Sequence, residues 1–111
     1  MTLGQKQRIF SLMIAKLVVW AYKRGYELSE GDGYRDPRLH GKIGEKKGYG
    51  HAESFHKKRL AKDFNLFIDG KYQRSTAAHD PIGKKWESMG GTWGGRFSKP
   101  DGNHYSWGET R

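Results

Sequence analysis

Cysteine is absent from these 111 residues, which removes disulfides and thiolate-bound zinc from consideration. Any metal this chain holds must therefore sit on imidazole or carboxylate. Acidic residues are scarce beside basic ones, 12 Asp and Glu against 21 Lys and Arg, a formal charge of +9. That balance favours anionic partners such as nucleic acid, anionic lipid or an anionic wall polymer. No apolar run is long enough to cross a bilayer. The one candidate, IFSLMIAKLVVWAY over residues 9–22, has 14 residues and is broken by Lys16, whereas a spanning helix takes about 20. No small-residue cleavage site follows it, since Lys23 and Arg24 come next. Neither a clear signal peptide nor stable membrane insertion is expected. Internal repeats and low-complexity tracts are missing too.

The length suits a single domain, 1–111. Ile9, Phe10, Met13, Ile14, Leu17, Trp20 and Ala21 recur at helical spacing and predict a helix over residues 4–24, capped by Thr2 and stopped at Gly25. A short strand follows at 26–30. Residues 36–52, rich in Gly and basic side chains, read as a long surface loop. RLAKDFNLFIDGKYQ alternates like a strand and carries Asp69-Gly70, a strong hairpin signal. The alternation puts Ala61, Asp63, Asn65 and Phe67 on one face, and Leu60, Phe64, Leu66 and Ile68 on the other, which should meet the helix. STAAHDPIGKKWESMGG predicts a second, shorter helix, with Pro81 near its start and Asp80 as its cap. TWGGRF and NHYSW read as two short strands joined by SKPDG. The fold class is α+β: a small antiparallel sheet packed against an N-terminal helix and a second short helix.

Of the five histidines, His56 and His104 have acidic company: Asp63 lies seven residues after His56, and Asp101 three residues before His104. His40 and His79 read as ordinary surface or hydrogen-bonded residues, and His51 in the Gly-rich loop stays open. Two histidines and one carboxylate form a common catalytic zinc set, with the fourth position left for water. A second carboxylate must then remain uncoordinated as general base. Asp63 on a regular strand suits the ligand and Asp101 in a turn suits the base, although spacing leaves the reverse division open.

SFHKKRLAKDF resembles the S-x-H-x6-D motif of the zinc D-Ala-D-Ala carboxypeptidase and L-alanyl-D-glutamate peptidase family, within the LAS metallopeptidases. DGNH is similar to that family's acid-x-x-His motif, and GYRD to its G-Y-R segment. Arg59 stands where the family's pattern places a glycine, while Ala61 keeps its small residue. The resemblance implies Zn2+ on His56, Asp63 and His104, Asp101 as general base, Arg35 steadying a carbonyl oxygen or substrate carboxylate, and Ser54 beside the substrate. It also implies the LAS fold and a peptidoglycan stem peptide as substrate. The ending WGGRF…DGNH looks most like compact phage lysis enzymes. On that likeness an L-Ala-D-Glu endopeptidase is expected, with a D-Ala-D-Ala carboxypeptidase as the alternative. Such an enzyme would be made in the host cytoplasm and act on the cell wall or periplasm, and a monomer is expected.

Two other classes compete. A basic nucleic-acid-binding protein would use the positive charge and the aromatics Trp86, Trp93, Phe97, Tyr105 and Trp107. A metal nuclease would use His56, Asn65 and His104. Aromatics at strand spacing are more often core, and the basic residues are scattered, so nucleic acid is not the expected partner. The lysines and arginine between His56 and Asp63 read as a solvated turn.

Overall fold

Thr2 sets the start of the chain's longest element. Its Oγ accepts from the Gln5 amide, and the Gln5 side chain accepts from the Thr2 amide, a reciprocal capping box. The helix α1 runs Leu3–Lys23 in a computed structural model that describes residues 1–46 and 54–110. Phe10, Leu17 and Ala21 are its buried residues, with Met13, Ile14 and Trp20 partly buried beside them. Ile9, expected in the same stripe, is exposed instead, because it lies on the flank of the helix turned from the sheet.

The strand β1 (Tyr26–Glu30) pairs antiparallel with β2 (Ala61–Ile68), and β3 (Lys71–Gln73) returns along β2 through the Asp69-Gly70 turn. Both turn residues have positive φ, +53° and +74°, the backbone that a two-residue hairpin of this hand requires. β5 (His104–Ser106) pairs with the first half of β2, and β4 (Thr92–Trp93) pairs with β5. The strand order is β1-β2-β5-β4, with β3 also on β2. β2 is therefore the strand that every part of the sheet shares, directly or through β5.

The greasy face of β2 behaves as its alternation predicts. Phe64 and Leu66 join Leu60, Phe10, Leu17, Tyr105, and Ile82 and Trp86 of the second helix, α3 (Asp80–Ser88), in one core. The Trp86 indole N–H donates to the carbonyls of Thr92 and Ser106, at 3.1 and 2.8 Å, and so ties α3 to the sheet's edge. Of the aromatics the nucleic-acid reading would use, Trp86, Trp93, Phe97 and Tyr105 are buried and Trp107 is half-buried, so most of them serve the core and not a stacking surface.

Four local expectations are corrected. Asp80 is not the cap of α3. The helix starts on it, after a 3-10 turn at Ala77–His79, and Asp80 pairs with Lys84 at 2.9 Å. TWGGRF is strand only at Thr92–Trp93 and then coils into a 3-10 turn at Gly94–Arg96. The loop after residue 36 begins with a short helix, α2 (Pro37–His40), while His51 and the rest of residues 47–53 lie outside the described residues. The basic stretch before Asp63 is a turn, with Arg59 exposed, but it is not solvated throughout: Lys57 is buried, its Nζ donating to the carbonyls of Lys42 and Glu45. Backbone carbonyls there take the place of water around the ammonium.

Arg59 closes that turn in the left-handed region, φ +57°, with its guanidinium 4.3 Å from the Tyr34 ring centre. A side chain in this region costs roughly 1–2 kcal/mol, which the ring contact partly offsets. Arg59→Ala keeps the strain and loses the ring, so it should lower stability by about 0.5–1 kcal/mol, whereas Arg59→Gly should stay near wild type in a urea melt.

His79 is buried and shares a hydrogen bond of 2.7 Å with the Tyr105 hydroxyl. Burial pulls its pKa down to about 4 and pushes the Tyr105 phenol up, so the pair is neutral at pH 7. A histidine with a depressed folded-state pKa contributes stability that is complete above its unfolded pKa of about 6.5 and is lost as pH falls through 4. The loss attributable to His79 between pH 7 and pH 4 should be on the order of 3 kcal/mol. Thermal unfolding of wild type and His79→Gln across this range measures it as the difference between the two pH slopes.

Candidate metal centre

The polar face of the sheet carries the chemistry. Asp63 sits on β2 directly opposite His104 on β5, so antiparallel register places both side chains on one side of the sheet. His56 arrives from the 3-10 turn just before β2. Its Nε2 lies 3.1 Å from Asp63 Oδ1, and His104 Nδ1 lies 3.3 Å from the same oxygen. The two rings are 4.9 Å apart and near perpendicular. One ligand atom from each of His56, Asp63 and His104 falls within 4.8 Å of the others, with both histidines buried.

The outer nitrogens decide which atoms face inward. His56 Nδ1 is 2.8 Å from the Gly33 carbonyl, an acceptor only, so Nδ1–H donates there and Nε2 is the inward atom. His104 Nε2 is 2.5 Å from Glu109 Oε1, so Nε2–H donates there and Nδ1 is the inward atom. Imidazoles fixed this way from behind are the usual arrangement around a bound metal. Two nitrogens and one carboxylate oxygen converging this closely fit the three protein ligands of a tetrahedral cation site.

Charge is tuned to match. Burial alone would raise the Asp63 pKa, but hydrogen bonds from His104 and His56 outweigh it and hold the carboxyl well below its usual range. Burial opposes charge on His104, yet its bonds to Asp63 and Glu109 prevail and raise its pKa to about 9. A divalent cation bound among these side chains would compete with protons for the same nitrogens.

The segment Gly31–Arg35 frames the site. The Gly31 amide donates to the Asp63 carbonyl at 2.9 Å and the Asp63 amide to the Asp32 carbonyl at 2.8 Å, which extends the pairing of β1 with β2 past the formal strand. The Arg35 amide donates to the His56 carbonyl at 3.2 Å, and its guanidinium to Ser54 Oγ at 3.1 Å and Asp32 at 3.4 Å. Ser54 is fully buried, and its Oγ also accepts from the His56 amide at 3.3 Å. Ser54 therefore stands behind the site, holding Arg35 and the His56 turn, rather than at a substrate surface. Asp101 lies in the exposed turn before β5. Its amide donates to the Gly94 carbonyl at 2.9 Å and its carbonyl accepts from the His104 amide at 3.1 Å. A Cβ on Gly94 would come within 2.3 Å of the Asp101 carbonyl oxygen, so this turn needs glycine there. Asp101 is outside the ligand cluster and lines a cleft of about 200 Å³ with Thr76 and Asn103. Geometry thus assigns Asp63, not Asp101, to the histidine pair.

Glu109 was not foreseen. It follows His104 by five residues and lies past the end of a strand, where nothing in the spacing separates it from an ordinary surface glutamate. Only folding buries it against the imidazole.

Two histidines and a carboxylate in a hydrogen-bonded cradle fit the class of metal-dependent hydrolases. The family model described as D-alanyl-D-alanine carboxypeptidase matches residues 47–107, more than half of the chain, and the chain belongs to that family. It is a metallopeptidase, and the matched segment contains every member of the cluster. No curated protein matches the chain.

Glu109→Ala should weaken metal binding 10- to 100-fold, the usual cost of removing such a partner, as read by chelator competition. Glu109→Gln, whose amide oxygen still accepts from Nε2–H, should recover part of that loss. Equal metal affinity in all three proteins would show that Glu109 does not set the histidine.

Proposed function

We propose that this chain is a zinc peptidase of the peptidoglycan stem peptide, cleaving as a D-Ala-D-Ala carboxypeptidase. The observation that carries the reading is the Asp63 oxygen shared by His56 Nε2 and His104 Nδ1 in a chain whose family is described by that activity. The description favours the carboxypeptidase over the L-Ala-D-Glu endopeptidase, which rests on the likeness to phage lysis enzymes alone. His56, Asp63 and His104 would hold Zn2+, which when bound supplies Lewis acidity toward water and carbonyl oxygen.

The chain's own groups divide the remaining work. Asp101 is outside the ligand set and in an exposed turn, so its carboxylate serves as the base that takes a proton from water. It then returns that proton to the departing amine, which leaves as the free amino group of D-alanine. Arg35 supplies a fixed positive charge, held by Asp32 and Ser54, for the substrate's terminal carboxylate or its polarised carbonyl. A carboxypeptidase needs such a cation, because its substrate ends in a charge. By this reading the enzyme acts on the wall or in the periplasm after synthesis in the host cytoplasm, where its +9 charge draws it to anionic polymers.

Purified protein on isolated peptidoglycan, with and without chelator, tests this. Released D-alanine marks the carboxypeptidase; a new D-Glu amino terminus, identified by mass spectrometry, marks the endopeptidase instead. Asp101→Ala should lose about 10²–10⁴-fold in kcat while keeping its metal, and undiminished turnover would remove it as the base. His56→Ala should lose the metal; full occupancy there would refute the ligand set.

A further inference from the structure

The helix α1 lies outside the matched family segment, and among the described residues its outward face is exposed. That face is apolar and basic together. Leu12 and Val19 are 57% and 53% exposed, with Ile9 and Tyr22 exposed on either side of them. Lys6, Arg8, Lys16 and Lys23 lie on the same helix, and no acidic residue precedes Glu27.

Beside the helix runs a cleft of about 470 Å³ between α1 and α3. Val19, Trp20 and Met89 make its apolar lining, and Lys16, Lys23 and Lys85 its charged rim. The Arg24 guanidinium lies 4.6 Å from the Trp20 ring centre and Lys85 Nζ lies 5.7 Å from it. Among the described residues no carboxylate lines the cleft. The acids on α3 are committed elsewhere, Asp80 to Lys84 at 2.9 Å and Glu87 to Arg96 at 3.1 Å.

We infer that this face docks on an anionic phospholipid surface, with Leu12 and Val19 seated at the headgroup level and Lys16, Lys23 and Lys85 on lipid phosphates. Exposed apolar side chains flanked by cations are what an interfacial helix presents to such a bilayer. A soluble anionic polymer would satisfy the lysines but leave Leu12 and Val19 in water. The helix does not cross: no helix among the described residues is long and apolar enough to span a membrane.

Docking here also orients the enzyme. α1 packs on the face of the sheet that carries Phe64 and Leu66, while Asp63 and His104 project from the other. With α1 on the bilayer, the metal centre faces away from it, toward the wall. This orientation rests on the proposed function; binding to vesicles does not.

The test is co-sedimentation of the full chain with phosphatidylglycerol and with phosphatidylcholine vesicles at low and physiological salt. Binding to the anionic vesicles only is expected, with part of it persisting at physiological salt. Lys16→Glu/Lys23→Glu should lose roughly tenfold or more in affinity, and Leu12→Gln/Val19→Gln should lose the salt-resistant part, both with wild-type circular dichroism. No binding to phosphatidylglycerol, or binding untouched by the apolar pair, would overturn the proposal. So would a concentration-dependent dimer in sedimentation that the apolar pair abolishes, since a second copy would then be the occupant. Peptidoglycan cleavage by the Leu12→Gln/Val19→Gln protein in solution should stay at the wild-type level, so a failure of docking is separable from a failure of the peptidase reading.

Discussion

One carboxylate oxygen organises the functional half of this molecule. Asp63 Oδ1 lies within hydrogen-bond reach of both His56 and His104, and almost everything around it keeps that meeting in place. The antiparallel register puts Asp63 opposite His104. The Gly31 and Asp32 backbone clamps Asp63 from the other edge. Gly33 and Glu109 hold the far nitrogens of the two rings. Burying a carboxylate and two imidazoles is costly unless each is paired, and here the pairing is built from three separate stretches of chain.

The fold explains why so short a chain manages this. β2 serves both layers: its greasy residues, Phe64 and Leu66, anchor α1 and α3, while Asp63 points out of the opposite face. The buried Trp86 and Tyr105 fix β5, with Trp86 hydrogen-bonded to the Ser106 backbone and Tyr105 to the His79 side chain. Because Tyr105 and His104 are neighbours on β5, ordering one in the core orders the other in the site. Stability and catalysis are coupled through alternate residues of the same strands.

Much of this could be read from residue order. The alternation of residues 60–68 separated the core face from the polar one, and the Asp69-Gly70 turn fixed the hairpin. The pairing of each histidine with a nearby acid pointed to the ligand set. What could not be read follows from contacts remote in sequence. Lys57 looked solvated, because its carbonyl partners come from residues 42 and 45 of a loop. The resemblance put Ser54 beside the substrate, whereas the fold buries it against Arg35, a partner 19 residues away in sequence. Asp80 had the composition of a cap, but the preceding 3-10 turn had already started the coil.

The sequence by itself determined the donor chemistry: without cysteine, only histidine and carboxylate remained, and periodicity placed Asp63 on an open face. It left undecided which of Asp63 and Asp101 joins the histidines. The tertiary structure decided that, because register across β2 and β5 is a property of paired strands and not of either strand alone. It likewise decided which nitrogen each imidazole turns inward, since the acceptors that fix the tautomers, the Gly33 carbonyl and the Glu109 carboxylate, reach the rings only after the chain has folded.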